Sequence, residues 1–476
     1  MSEPASLILR ITTDQHSPMV TGFGGDPYVR TPKLDRLAAG GTVYANHYCA
    51  NPICVPGRYS MMTGQLPREL GTCHFWDILP SDVPTYASIL GDSGYQTTCA
   101  GKMHFHGIDQ MHGWHHRPYG DMEMLNRSGL PGYDGGKDRF RNWKKPFYIF
   151  DDHGGYNPAM LKHSRPGHDK YMLFDESVTR ESGIHLTDFY RATISEGADY
   201  QGTRPLLFES SFKTPHCPFV CPPELFEYYM DILPLPEKKR ETGVPDHIRA
   251  RQQQDQPDWV SEEMIRRSRA GYWGLVEWVD QQIGCLLQVV EDLGLMDETA
   301  ILYTSDHGEM AGERGLWQKA VFYEESVRVP TILAGPGIPA GKVVRENTSH
   351  LDLLPTLCEL ADLKTPAGLR GRSLLPYARG EEDPERVVVS ELFHTWEPTR
   401  NTLMAKQGSL KLIDYCDGQA ELFDLSTDPE EQSNLWPDHA DRAAPLVEAI
   451  ASLPEPFRKD HPDWKFEYTS PVRKPR

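Results

Sequence analysis

The chain has 476 residues, 39% hydrophobic and 25% charged, enough for one large α/β domain, a smaller unit and a sizeable core. Its formal net charge of -19 excludes general affinity for nucleic acid or an anionic membrane, because the long-range field repels both; any anion must be captured by a local positive pocket. No run approaches the roughly 20 apolar residues of a membrane span, and nine cysteines, odd in number and in mostly apolar settings, suit reduced thiols better than a disulfide framework. With no signal-like N-terminus, the expectation is a soluble, cytoplasmic protein.

In chain order, the first element is the apolar run "SLILRITTD", which ends in Asp14. "CVPGRYSMMTG" follows, with Cys54 just ahead of an expected helix start, because Pro56 and Gly57 favour the first turn, and with Arg58 one turn inside. "GYQTTCAGKMH" runs into Lys102 and His104, "PLLFESSFKTPH" into His216, and "ETAILYTSDHGE" into Asp306 and His307. Each apolar run delivers polar residues at its C-terminal end, the edge of a parallel sheet where sites assemble. Residues 115–200 and 230–262 read as excursions, lids or substrate walls. A long helix is expected over 262–294, where apolar residues recur at spacings of three and four before a closing Gly.

After Pro376 the composition changes. "RVVVSELFH", "NTLMAKQGSLKLIDY" and "AELFDLST" are short strand candidates, and a helix pattern follows at 442–452. The expected architecture is α/β: a large, mostly parallel sheet flanked by helices over 1–376, and a smaller α+β subdomain over 377–476.

A lone cysteine before a helix is usually a buried thiol, so its company decides. "CVPGRYSMMTG", "GYQTTCAGKMH", "TPHCPF", "TSDHGEMAGERGLWQK" and "SHLDLLPTL" occur in one order along the chain. This set resembles the type I, formylglycine-dependent sulfatases of the alkaline phosphatase superfamily, from Leu7 to about Leu435, and "GKMHFHGIDQMHGW" with "SDHGEMAGERGLWQK" looks most like the choline-sulfatase branch. The resemblance implies that a maturase oxidises Cys54 to formylglycine, which is hydrated at rest. One hydroxyl attacks sulfur and the second collapses to eject sulfate.

It further implies one divalent cation, Ca2+ foremost with Mn2+ or Mg2+ open, held by Asp14, Gln15, residue 54, Asp306 and His307. Arg58 would hold the nucleophile's oxygens. Lys102 and Lys319 would grip the sulfuryl oxygens, His104 would promote collapse of the hemiacetal, and His216 would protonate the departing oxygen. Family members usually carry Ser at the position of Gly57. The substrate is then a small sulfate ester, and a homo-oligomer stays open as a further partner.

Two other readings stand beside this one: a phosphonate monoester or phosphodiester hydrolase on the same scaffold, because both esters are tetrahedral, and a non-catalytic anion-binding protein. "GKMH" argues against the first, and the absence of any missing ligand argues against the second. His216, Cys217 and Cys221 lack a second thiol pair and read as packing rather than zinc ligands. "GFGGDP" lacks the Lys-Ser/Thr of a phosphate loop and reads as a turn. Trp76, Trp114, His115, His116 and Trp396 are either pocket lining or ordinary packing. Glu391, at the end of "VVVSE", is either an exposed strand-end acid or a carboxylate facing a cationic alcohol.

Overall fold

A computed structural model describes residues 4–75, 77–121, 158–195, 205–236, 243–393 and 401–454. Eight segments form the main sheet: β1 (Leu7–Asp14), β2 (Gly41–Tyr44), β3 (Gln96–Gly101), β4 (His116–Tyr119), β5 (Leu206–Pro215), β6 (Thr299–Ser305), β7 (Thr331–Ala334) and β8 (Lys342–Val344). Their order across the sheet is β8-β2-β7-β6-β1-β5-β3-β4. Only β7 runs against its neighbours; the other pairings are parallel.

The central strands β1, β5 and β6 are buried along their whole length. This is why they read as near-continuous apolar runs and not as alternating ones. Strand alternation divides the core in two. Leu7, Leu9 and Ile11 of β1 pack with Leu206 and Phe208 against one helical layer, built on helices Lys170–Ser195 and Glu262–Asp292. Ile8 and Leu207 face the other layer, with Val55, Tyr59, Leu90 and Leu354. Among the described residues no helix is long and apolar enough to cross a membrane.

Four antiparallel strands follow in sequence order, β9 (Val387–Leu392), β10 (Thr402–Gln407), β11 (Leu410–Asp414) and β12 (Ala420–Asp424). One face, with Leu403, Ala405, Leu412 and Leu422, packs on Leu446 and Ile450 of the helix Ala444–Ala451. The opposite face, with Val388, Met404, Ile413 and Phe423, packs on Tyr48, Val321, Tyr323 and Val327 of the larger unit. Lys411, buried at this junction, lies 2.8 Å from Glu324 and 2.7 Å from Glu431. The fold is therefore the expected α/β sheet with a smaller antiparallel α+β unit.

Two readings that the sequence left open are decided by the fold. The described part of the 115–200 excursion is mainly a 26-residue helix, Lys170–Ser195. It places Met172, Phe174, Val178 and Leu186 in the core, so it is a wall of the fold and not a lid; residues 122–157 lie outside the described set. Trp114 is also core, edge-on to Tyr86 with ring centroids 5.8 Å apart.

Candidate active site

The C-terminal ends of the parallel strands meet at one edge of the sheet. Asp14 ends β1, Lys102 follows β3, His216 follows β5, and Asp306 and His307 follow β6. At the end of β3 the backbones nearly touch: Gly101 has φ +103°, and a Cβ there would lie 2.0 Å from the Ser211 carbonyl. Only glycine permits that approach. It lets Lys102 N donate to Ser211 O at 2.8 Å, while Ser211 Oγ donates back to Lys102 O at 2.6 Å.

The helix Cys54–Thr63 supplies the remaining groups. It begins at Cys54 itself, its N-cap Ile53 is extended, and no side chain caps it. Its positive end therefore sits at the Cys54 side chain. Gly57 is also required here, because a Cβ would lie 2.8 Å from Asn51 O and 3.4 Å from Asp306 O.

Ligand atoms of Asp14, Cys54, Asp306 and His307 all lie within 4.8 Å of one another, and all four residues are buried. Cys54 Sγ is 2.8 Å from Lys319 Nζ, 3.2 Å from His307 Nε2 and 3.8 Å from Asp14 Oδ1. The Lys102 ammonium rests against the Asp14 carboxylate. Arg58 Nε donates to Asp306 Oδ2 at 2.7 Å, and its Nη1 donates to Lys102 O and Ser211 Oγ. Three cationic side chains thus face two carboxylates, a local positive pocket in a chain of charge -19.

The protonation states follow from burial and neighbours. Burial works against ionising Asp306, but the surrounding cations, with Arg58 in direct contact, hold its carboxyl well below the usual range. Burial pushes His307 well below its ordinary value. Its Nδ1 donates to Gly308 O at 3.0 Å, so the neutral ring presents Nε2 as a lone-pair donor. Burial also raises the Cys54 thiol, an effect the Lys319 ammonium only partly offsets. A thiol held protonated is a poor nucleophile.

Gln15 completes the donor set. Its backbone has φ 69°, its N donates to Asp306 Oδ1 at 3.1 Å, and its Nε2 donates to Glu309 Oε2 at 2.5 Å. With Nε2 so engaged, Oε1 is buried without a hydrogen-bond partner among the described residues. Two carboxylates, an uncommitted amide oxygen and a neutral imidazole suit a hard divalent cation. The residues present therefore fit such an ion.

His104 has φ 60° and lies edge-on to Phe75, with ring centroids 5.4 Å apart. His216 is buried, and its Nδ1 donates to Cys217 O at 2.7 Å, which places the proton of the neutral ring on Nδ1. Burial first, and then the ammonium groups of Lys319, Lys102 and Lys213, push His216 well below its ordinary value.

Sequence reasoning passed over the acids that hold these loops. Asp121 Oδ2 accepts from the backbone N of Met103 and of His104, at 2.9 and 2.8 Å. Glu309 Oε1 accepts from Ala311 N at 2.8 Å and Gln318 N at 2.6 Å, so one carboxylate fixes both Gln15 and the turn into Lys319. The acid was visible in "SDHGEM", but its backbone partners have no sequence signature. Glu309→Gln is expected to weaken divalent-cation affinity about 10- to 100-fold, the usual range for such supporting partners. Calorimetric titration of the metal-stripped protein with Mn2+ checks this.

Among the weaker readings, that of Glu391 is decided by position. Glu391 is buried, with its carboxylate bound to Arg68 through both Nε and the backbone N. It is neither exposed nor available to a cationic alcohol. His115 and His116 are exposed at the edge strand, where His116 pairs with Thr98, three residues before the end of β3. Trp76 and Trp396 lie outside the described residues.

A profile described as "Sulfatase" matches residues 7–363. The chain belongs to the sulfatase family. A second profile, "N-sulphoglucosamine sulphohydrolase, C-terminal", matches residues 312–452 of this sulfatase. It is 32% identical over 443 residues to a choline-sulfatase of Rhizobium meliloti, covering 90% of this chain and 82% of the relative. It is 27% identical to an arylsulfatase of Clostridium perfringens, covering 90% and 89%. Among solved structures, the phosphonate monoester hydrolase of Agrobacterium radiobacter superposes with TM-score 0.71 at 22% identity, covering 94% of this chain and 95% of that one. That likeness is one of fold. The enzyme is a sulfuric-ester hydrolase.

Proposed function

We propose that this sulfatase cleaves an alkyl or aryl sulfate monoester with residue 54 as a formylglycine hydrate, after a maturase has oxidised the thiol. The observation that carries the reading is the place of the Cys54 side chain, buried at a helix N-terminus within one cluster with Asp14, Asp306, His307 and Lys319. Sγ stands where the hydrate oxygen would be. The hydrate supplies an attacking hydroxyl and a second hydroxyl whose collapse frees sulfate.

Asp14, Gln15, Asp306 and His307 would hold the cation with residue 54. Oxygen donors favour Ca2+, and the imidazole nitrogen keeps Mn2+ as the alternative. Such an ion lowers the pKa of an attached hydroxyl and offsets charge on the transferring group. Arg58, Lys102 and Lys319 orient the sulfuryl oxygens, with Arg58 Nη2 buried and unpartnered among the described residues. His104 takes the proton that the second hydroxyl loses on collapse.

His216 Nε2 gives a proton to the departing oxygen. Its bond to Cys217 O fixes the tautomer, and negative charge delivered by the ester onto the nearby lysines favours the imidazolium. His216→Ala is expected to cut kcat/KM for alkyl sulfates by about 100-fold or more, while 4-nitrophenyl sulfate, with its good leaving group, loses less than about 10-fold. Steady-state rates on both substrates check this; equal losses would move His216 to a binding role. The same assay with phenyl phosphonate esters decides against the alternative hydrolase if sulfate esters are turned over faster.

A further inference from the structure

The loop that carries His216 does not continue the strand that precedes it. Thr12 of β1 pairs with Ser211 and Asp14 with Pro215, so the single residue Thr13 stands opposite residues 212–214. This is a bulge, and it takes the backbone N–H groups within it off the ladder. The neighbouring β3 pairs with β5 only as far as Ser211. Two buried donors, Lys213 N and Thr214 N, therefore need acceptors from elsewhere.

Asp175 supplies them. Its Oδ1 accepts from Lys213 N at 2.7 Å, and its Oδ2 accepts from Thr214 N at 2.8 Å and from Thr214 Oγ1 at 2.6 Å. The carboxylate is fully buried, and these three donors come from the two residues before Pro215 and His216. One turn earlier on the same helix, Tyr171 packs edge-on against the His216 ring, with centroids 6.3 Å apart. Positions four apart share a helix face, so one face of Lys170–Ser195 touches both the loop and the imidazole. Asp121 and Glu309 do the same for the loops of His104 and Lys319.

We infer that Asp175 is the positioning residue that aims His216 Nε2 at the leaving oxygen. The inference rests on the proposed role of His216 as general acid. Asparagine at 175 keeps one acceptor and turns an NH2 toward a backbone donor, which releases one side of the bulge. A displacement of about 1 Å at a reacting group can cost on the order of 100-fold, and here the cost falls only where proton donation limits the rate.

The test is a series of sulfate esters with leaving groups of increasing basicity, with kcat/KM measured for the wild type, Asp175→Asn, Thr214→Val, His216→Ala and the double variant Asp175→Asn/His216→Ala. Asp175→Asn is expected to lose about 10- to 100-fold on alkyl sulfates and less than about 3-fold on 4-nitrophenyl sulfate. In the His216→Ala background it should lose nothing further on alkyl sulfates. A merely structural role predicts equal losses on all esters and an undiminished loss in the double variant, and either result overturns the inference. If Asp175→Asn does not fold, Thr214→Val, which removes only the hydroxyl leg, must show the same leaving-group dependence in weaker form; a flat profile overturns the inference. Equal losses in His216→Ala alone would instead overturn the general-acid reading, which separates the two failures.

Discussion

Replacing Cys54 by serine is expected to convert the enzyme from a catalyst into a reagent. The introduced hydroxyl keeps one oxygen within the cluster of Asp14, His307 and Lys319, so attack on sulfur survives. The second hydroxyl is missing. The sulfate ester on serine therefore has no route of collapse, and the pocket offers only slow hydrolysis at sulfur. Steady turnover should fall by at least about 10³-fold, in line with removal of a nucleophile acting as part of a unit. One equivalent of alcohol per site should appear in a burst, and the peptide over position 54 should carry a sulfate. Rapid-quench assay of alcohol release together with mass spectrometry of that peptide checks both.

The second large effect is expected at Asp306, whose Oδ2 holds Arg58 while its Oδ1 accepts from Gln15 N. Asp306→Ala removes a hard donor from the cluster proposed to hold the cation and leaves the Arg58 guanidinium buried without its anion. The first consequence is loss of the divalent cation, with kcat/KM falling by about 10³-fold or more, because nucleophile activation and charge neutralisation fail together. The second is a stability cost of about 3–5 kcal/mol from the uncompensated charge. Asp306→Asn separates the two, since its amide oxygen can still accept from Arg58 while the negative charge is gone. It should stay folded, bind metal weakly and be nearly inactive. Elemental analysis of the purified variants, beside their turnover, checks this; a metal-free Asp306→Asn protein of undiminished activity would contradict it.

The strand-end residues were legible because each lies where an apolar run stops. Buried parallel strands need continuous Leu, Ile, Phe and Thr, and the first polar residues after them fall at the sheet edge. Cys54 was legible only in company, since Pro56, Gly57 and Arg58 report a helix start but not what it faces. The supporting acids were not legible. Asp121, Asp175 and Glu309 act through backbone N–H groups, which every residue except proline carries, so nothing in the chain marks their partners.

Glu391 failed for a related reason: its partner Arg68 lies 323 positions away. A strand-end acid looks the same in sequence whether it meets solvent, a ligand or a buried guanidinium. The Lys170–Ser195 helix was hidden by averaging. The stretch 115–200 is rich in Pro, Gly and Asp as a whole, yet residues 170–195 contain no proline and one glycine, as a helix of that length needs.

The central claim is that residue 54 does not act as a thiol, and the mass of the peptide Leu37–Arg58 from freshly purified, active enzyme tests it most directly. The account predicts a peptide in which the sulfur of Cys54 has been replaced by an aldehyde oxygen, reactive toward hydrazides, in proportion to the active fraction, and turnover unaffected by thiol-alkylating reagents. Full activity in a preparation whose residue 54 is entirely cysteine would contradict it.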